Sequence, residues 1–172
     1  MKVYTPPPDK SVTIRAVLLA GIADGVSRVE NPLLCDDTEA ALRCMSALGV
    51  RIRRLRGAFV IEGRGLRGLR APSAPLDAGE SGAVSRMLAG ILSGQDFASV
   101  ITGRGSLLKR PMGPLADVLS RAGADVRPSG GRLPLTIRPS VIKGGRISGI
   151  DSAQLKSALL LAGLYSRRPL EI

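Results

Sequence analysis

The chain has 172 residues, 44% of them hydrophobic, so it is long enough for one domain with a hydrophobic core but short for two. Its formal net charge of +11 predicts an anionic partner, either a nucleic acid or a negatively charged metabolite. Aromatic residues make up only 2% of the sequence and tryptophan is absent, which argues against a protein that stacks nucleic-acid bases on aromatic side chains.

The N-terminal segment and the two cysteines indicate where the protein works. Residues 1–11 lack the apolar core of a secretory signal, and no apolar run is long enough to span a membrane, so we expect a soluble cytoplasmic protein. Cys35 and Cys44 form no CxxC pair, and the chain has no histidine to complete a zinc site. We therefore expect both thiols to be reduced, buried and unreactive.

Three similar segments divide the chain into repeated units. Each has a polar start that contains a serine and then an apolar run that includes Leu-Ala-Gly: DKSVTIRAVLLAGIADG, GESGAVSRMLAGILSGQ and DSAQLKSALLLAGLYS. The serines are Ser11, Ser81 and Ser152, which lie 70 and 71 residues apart, a constant period typical of repeated supersecondary units. Each of these predicted helices has apolar side chains on nearly all of its sides, so we expect these helices to be buried between layers.

A second, amphipathic helix is predicted in each of the first two units. The segment ALRCMSALGVRIRR from Ala41 matches PLADVLSRAGADVRP from Pro114. Each helix should end before a glycine, Gly49 or Gly123, and should face solvent on one side. Polar residues typical of a helix N-cap precede the first of these helices: Asp36, Asp37 and Thr38.

Short β-like stretches follow the helices at residues 58–62, 98–102 and 133–138, which carry β-branched side chains. Each unit therefore reads helix, strand, helix, strand, strand, with helices inside sheets, and the third unit is cut short. One strand carries arginines that alternate partly with apolar residues, which favours an exposed strand face over a nucleic-acid patch. These are Arg51, Arg53, Arg54 and Arg56.

The start of the first helix carries cations where the helix dipole disfavours them. Lys10 and Ser11 open this helix, and Arg15 follows one turn later. Free backbone N–H groups, the two cations and the Ser11 hydroxyl together predict a phosphate or carboxylate site. The alternative is that Asp9 or Ser11 merely caps the helix while Lys10 is solvated.

A second basic helix start is predicted at Lys109 and Arg110, because they immediately precede Pro111, a residue suited to the first helical position. At a third start, the GESG turn of residues 79–82 would let a ligand approach the backbone, with Arg86 one turn later. The alternative for GESG is a tight strand-to-helix turn.

The fourth candidate is the start of the third repeated helix, at residues 151–154. Ser152 and Gln154 carry polar groups that could hydrogen-bond a polyhydroxy ligand. A plain helix cap is the alternative, as at the other helix starts.

Six motifs, in order and spacing across nearly the whole chain, resemble the 5-enolpyruvylshikimate-3-phosphate (EPSP) synthase family. They are Asp9-Lys10-Ser11 with Arg15, LCDDT at residues 34–38, GESG at 79–82, KRPM at 109–112, LPLTIR at 133–138 and SAQLKSALLLAGL at 152–164. No single motif is specific, but the set in this order is. KRPM and SAQLKSALLLAGL favour this family over the sister family that acts on UDP-N-acetylglucosamine, which stays the alternative.

The resemblance implies an α/β fold in which each of two domains consists of three βαβαββ units around buried helices, an inside-out α/β barrel. Residues 1–172 would be the N-terminal domain, an incomplete barrel cut short in its third unit, and the C-terminal domain would be absent.

The resemblance also implies a transferase of the shikimate pathway, which leads to chorismate and the aromatic amino acids. The enzyme moves the enolpyruvyl group of phosphoenolpyruvate to the 5-hydroxyl of shikimate 3-phosphate and uses no metal or organic cofactor. Its acid/base residues lie in the C-terminal part, so we expect this chain to be inactive without a C-terminal half, supplied in cis or in trans.

Site residues follow from the resemblance by position. It assigns phosphoenolpyruvate to Lys10, Gly82 and Arg110, and Arg110 would also contact glyphosate, the known inhibitor of the family. It assigns shikimate 3-phosphate to five residues: Ser11, Arg15, Ser152, Ala153 and Gln154.

Four positions depart from the family pattern. Glu80 stands where the family usually has Asn, Ala83 replaces Thr, Arg104 replaces an acidic residue, and PPPD replaces PGD before Lys10. A carboxylate beside a phosphoenolpyruvate site would repel that substrate. A second hypothesis is therefore a non-catalytic anion-binding remnant of the same fold.

Overall fold

The computed structural model describes residues 7–172; residues 1–6, part of the segment found above to lack the features of a secretory signal, lie outside the described part. The helices of the described part are α1 (Lys10–Ile22), α2 (Asp36–Ala47), α3 (Gly82–Leu92), α4 (Gly113–Arg121) and α5 (Ala153–Gly163), with a 3₁₀-helix at Gly105–Lys109. The strands are β1 (Val26–Glu30), β2 (Arg51–Leu55), β3 (Ala58–Glu62), β4 (Leu76–Asp77), β5 (Ser99–Thr102), β6 (Asp125–Ser129), β7 (Arg132–Arg138), β8 (Gly145–Arg146) and β9 (Leu170–Glu171).

Each unit contributes its own sheet. The first is antiparallel in the order β1-β3-β2, the second has the order β4-β5-β7-β6 with β4 and β5 parallel, and the third is the parallel pair β8-β9. The predicted order helix, strand, helix, strand, strand is confirmed in the first two units. The sequence analysis missed β4 and β8, which are two residues long and too short to show alternation.

Helix α3 lies at the centre of the structure and contacts α1, α2, α5 and β5. All its residues except Ala83 and Arg86 are buried, which confirms the predicted burial of this helix between layers. Gly90 lets α5 come close, because a Cβ atom there would overlap the backbone oxygen of Ala158.

The predicted burial is only partly right for α1 and α5. An apolar groove between these two helices, lined by leucines of both, leaves Leu19 47% exposed, Leu160 61% and Leu164 48%. Both helices do have apolar side chains on nearly all sides, but no element of the described part packs over the side that carries these leucines. We refer to this feature as the α1/α5 groove.

The second helices α2 and α4 are amphipathic, as predicted, and their following glycines Gly49 and Gly123 have φ angles of +88° and +103°. The N-cap of α2 is Cys35 rather than one of the acidic residues after it. The Thr38 hydroxyl accepts a hydrogen bond from the Cys35 backbone N–H (3.0 Å). The acidic residues lie in the first turn, where they complement the helix dipole.

Strand β2 presents its arginines to solvent, as predicted. Arg51 pairs with Glu62 (3.0 Å), and Arg54 binds both carboxylate oxygens of Glu39. The hydrogen bond from Arg54 lowers the pKa of the Glu39 carboxyl below its usual value. Two of the four arginines are therefore paired with acids of the same surface.

Both cysteines are free thiols. Cys44 is buried, and this burial raises the pKa of its thiol to about 12, so it should not react at neutral pH. Cys35 is only half-buried, which corrects the expectation that both thiols are buried. Between residues 7 and 172, no helix is long and apolar enough to cross a membrane.

We predict that Gly90→Ala destabilises the fold, because the added methyl group would collide with the α5 backbone at Ala158. Overpacking of this kind lowers the free energy of unfolding by about 1–3 kcal/mol. Chemical denaturation of both proteins measures this difference. Gly113→Ala is the matched control, since a Cβ at that helix start would contact nothing within 4 Å; an equal loss in both variants would contradict the α3–α5 packing.

Candidate anion-binding site

The start of α1 combines a cap with an ion pair. Asp9 caps the helix, because its Oδ1 accepts a hydrogen bond from the Val12 N–H (2.8 Å). The side chain of Lys10 is not simply solvated, since its Nζ lies 3.3 Å from Oδ2 of Asp37 on α2. Ser11 accepts a hydrogen bond from Arg15 one turn later (2.6 Å).

Asp37 links the starts of α1 and α3. The same Oδ2 atom that pairs with Lys10 accepts a hydrogen bond from the hydroxyl of Ser81 (2.8 Å). Ser81 is buried and is the N-cap of α3, where its Oγ accepts from the Val84 N–H. The sequence predicted only a capping role for Asp37 in α2, and the structure shows that it also connects Lys10 to Ser81.

The start of α3 is positively charged, and we call it open because its first backbone N–H groups have no partner within the helix, although Gly82 itself is buried. A Cβ atom at Gly82 would lie 2.5 Å from Nη1 of Arg86 and 2.8 Å from Nη1 of Arg110, so both guanidinium groups lie close to this glycine. Burial, together with the neighbouring Arg110, lowers the pKa of Arg86. Gly82 and Ala83 are the first helical residues, whose N–H groups have no partner within a helix. Two cations and free donors together favour an anion here.

Arg110 lies close to Gly82, but it is not part of the helix start that the sequence predicts. The next helix, α4, begins at Gly113 rather than at Pro111, so Lys109 and Arg110 do not form a second basic helix start. Lys109 ends the 3₁₀-helix, and Arg110 follows in extended conformation. Proline is favoured at the first position of a helix, but this preference of Pro111 did not determine where α4 begins.

The start of α5 joins the same surface. Arg86 donates a hydrogen bond from Nη1 to Oε1 of Gln154 (2.8 Å), and Arg15 donates from Nη2 to the hydroxyl of Ser157 (3.4 Å). Ser152 is the N-cap of α5, and both it and Ala153 are exposed. The predicted site residues of α1, α3 and α5 therefore lie on connected helix starts.

Two residues of this surface were not among the predicted ligand residues. Arg86 stands four positions after Gly82, a spacing that places both on one helix face; the sequence placed it one turn after the GESG turn, but the family resemblance assigned it no ligand. Ser157 meets Arg15 only through the tertiary fold, and no local pattern signals that contact.

The carboxylate of Glu80 does not stand free beside the open start of α3. Its Oε2 accepts a hydrogen bond from the backbone N–H of Ser106 (2.9 Å). This bond, then the Ser106 side chain, Arg104 and Arg110, lowers the pKa of the exposed Glu80 carboxyl. The Glu80 carboxylate, which was expected to repel a substrate, is thus hydrogen-bonded to the first turn of the 3₁₀-helix.

Within residues 7–172, no group of three or more His, Cys, Asp or Glu side chains is arranged to hold a metal ion. The polar groups gathered at the helix starts are mainly guanidinium, ammonium, hydroxyl and amide groups, which suit anionic and hydroxylated ligands.

Known proteins share both this architecture and this sequence. The solved EPSP synthase of Acinetobacter baumannii superimposes with a TM-score of 0.90 and 40% identity over 95% of this chain and 38% of its own. The fold is therefore that of an enolpyruvyl transferase. The EPSP synthase (3-phosphoshikimate 1-carboxyvinyltransferase) family pattern matches residues 2–172, and the chain belongs to this family.

Individual relatives agree with this assignment. The 3-phosphoshikimate 1-carboxyvinyltransferase of Sulfurihydrogenibium sp. is 44% identical over 169 residues, which cover 94% of this chain and 38% of that protein. That of Persephonella marina is 46% identical over 163 residues, 93% of this chain and 38% of that protein. The chain thus spans well under half the length of these relatives and corresponds to their N-terminal portion.

We predict that Ser81→Ala lowers the free energy of unfolding by about 1–2 kcal/mol, because α3 loses its cap. Asp37 also loses a hydrogen bond from the buried hydroxyl. Thermal or chemical denaturation measures the loss. Ser46→Ala, at an exposed position of α2, is the control and should change stability by no more than about 0.5 kcal/mol. A Ser81→Ala protein as stable as the control variant would contradict the bridge.

Proposed function

We propose that this chain binds phosphoenolpyruvate and shikimate 3-phosphate as the N-terminal part of a 3-phosphoshikimate 1-carboxyvinyltransferase. In this reaction the 5-hydroxyl oxygen loses its proton and adds to C2 of phosphoenolpyruvate, while C3 gains a proton. The tetrahedral adduct then loses inorganic phosphate from C2 and a proton from C3. The product keeps the carboxyvinyl group on the 5-oxygen.

One observation carries the proposal: two guanidinium groups converge on the open start of α3 at Gly82. Arg86 and Arg110 repel one another there, and the partial burial of Arg86 strengthens that repulsion. A bound anion would replace the repulsion by two charge-assisted contacts and would also meet the free helix N–H groups. We assign phosphoenolpyruvate to this position, with Lys10 as a further cation that Asp37 links to the N-cap of α3.

A second ligand position is proposed between the starts of α1 and α5. Arg15 and Ser11 supply a cation and a hydroxyl from one side, and Ser152, Ala153 and Gln154 supply polar groups from the other. A phosphorylated ring with several hydroxyls matches this combination, so we assign shikimate 3-phosphate here. The Arg86–Gln154 hydrogen bond connects the two positions (2.8 Å).

The described residues would contribute binding and orientation. Holding two anions in reacting geometry can contribute up to about 7–11 kcal/mol toward a barrier in favourable systems. Most groups gathered here are cations and neutral donors, and the two carboxylates among them, Asp37 and Glu80, already accept hydrogen bonds or ion pairs within the chain. We therefore propose that the proton transfers use groups of the remaining part of the enzyme. By itself the chain should bind ligand without turning it over.

We further propose that residues 1–172 form an N-terminal domain that works with a C-terminal part, in the same polypeptide or in a second one. The chain spans 38% of the length of its relatives, and the α1/α5 groove exposes leucines beside Arg15. Further protein packed on this groove would bury them and close one side of the ligand surface. We also propose a cytoplasmic location, which fits the two free thiols.

A phosphate-release assay with both substrates tests the proposed reaction. We expect no release from this chain alone, release when it is combined with the C-terminal part of a relative, and loss of that release in Arg110→Ala. Arg53→Ala, which removes an exposed arginine of β2, should retain the activity. No release from a mixture that size-exclusion chromatography shows to be assembled would contradict the proposal.

Calorimetric titration tests ligand binding apart from turnover. We predict that shikimate 3-phosphate binds the same assembly and that Arg15→Ala weakens binding roughly ten- to hundredfold, because hydrogen bonds to charged groups contribute about 1.5–3 kcal/mol. Arg53→Ala is again the charge-matched control. Binding without any turnover by the assembly would indicate a non-catalytic remnant, and equal affinity of both variants would exclude Arg15 from the site.

A further inference from the structure

Glu80 joins two segments that both contribute to the open start of α3. It lies two residues before Gly82, and its Oε2 accepts the backbone N–H of Ser106 at the beginning of the 3₁₀-helix (2.9 Å). A Cβ atom at Gly105 would overlap this carboxylate, so the backbone wraps closely around it. Gly105 has a φ of +55°, a conformation that favours glycine.

The same 3₁₀-helix leads directly to Arg110. One side of the helix bears Ser106, whose hydroxyl lies 3.5 Å from Nη2 of Arg110. At its start, the backbone N–H of Arg104 donates to the oxygen of Gly79 (2.8 Å). Glu80 thus bonds to Ser106, Ser106 to Arg110, and Arg110 lies over Gly82, which the backbone connects back to Glu80.

The charges around Glu80 are matched locally. Arg104 and Arg110 both lie near enough to favour its ionised form. Glu80 and Arg104 are also two of the positions that depart from the expected family pattern: Glu80 gains a negative charge, and Arg104 exchanges a negative charge for a positive one. The two departures therefore lie close together, and Arg104 favours the ionised form of Glu80.

We propose that Glu80 is a positioning residue: its carboxylate holds the segment of residues 104–110 against the turn before α3 and so keeps Arg110 over Gly82. Arg104 offsets its charge, so that the acid strengthens anion binding instead of opposing it. This inference rests on the proposed anion site at Gly82 and names what maintains its geometry.

Two substitutions separate positioning from simple repulsion, because Glu80→Gln keeps a carbonyl acceptor for the Ser106 N–H and Glu80→Ala does not. Both remove the same negative charge. If Glu80 positions Arg110, Glu80→Ala binds anions more weakly, while Glu80→Gln binds them as well as the original protein or better. If Glu80 only repels, both variants bind anions more tightly.

The test is a titration of inorganic phosphate into the full chain and its variants, with Glu30→Ala, an exposed glutamate of β1, as control for net charge. We expect about fivefold weaker binding for Glu80→Ala, within the range of one lost hydrogen bond, and no loss for Glu80→Gln or Glu30→Ala. Tighter binding by both Glu80 variants, unchanged binding by both, or equal weakening of both would overturn the proposal.

A ligand-free measurement keeps the inference separate from the proposed function. Nitrogen relaxation of the Arg110 side chain should show greater mobility in Glu80→Ala than in the original chain or in Glu80→Gln. If the original chain does not bind phosphate, the anion site is wrong, and this relaxation experiment alone decides the role of Glu80. Unchanged Arg110 mobility in Glu80→Ala would then refute it.

Discussion

The approach of two guanidinium groups to the first turn of α3 is the interaction on which the candidate site depends. It requires glycine at position 82, because a side chain there would collide with Arg86 and Arg110. It is unfavourable without a counter-charge, since like charges are brought together and one is partly withdrawn from water. Hydrogen bonds hold Arg86 to Gln154 and Arg110 to Ser106 in this arrangement, and a bound anion would relieve the repulsion between them.

The fold enforces this approach through the burial of α3. Because α3 is buried between α1, α2 and α5, its axis is fixed, and the neighbouring helix starts meet at the same end. Gly90 permits the close approach of α5 on one side, and Asp37 ties α1 to the cap of α3 on the other. The packing that buries α3 thus also determines where its start lies relative to the neighbouring helix starts.

Much of the architecture could be predicted because it rests on local patterns. The serine period located the buried helices, and Gly49 and Gly123 marked the ends of the amphipathic ones. Local patterns failed where partners are distant in sequence: Pro111 suggested a helix start that the fold does not use, and the Arg15–Ser157 contact joins residues 142 positions apart. Apolar composition likewise could not show that no element among residues 7–172 covers α5 on one side. The family resemblance supplied the ligand assignments, and the structure adds the contacts of Arg86 with Gly82 and Gln154 and the hydrogen bond of Glu80 to Ser106.

We propose that the starts of α1, α3 and α5 form one anion-binding surface. Chemical-shift mapping of backbone amides during a phosphate titration tests it most directly, because every helix start reports separately. We predict that the largest shifts occur at residues 10–12, 82–84 and 153–155. We also predict that all three groups of amides saturate at the same phosphate concentration as the amides at the start of α3. Shifts concentrated instead on the arginine-rich strand β2, or spread evenly over the charged surface, would contradict it.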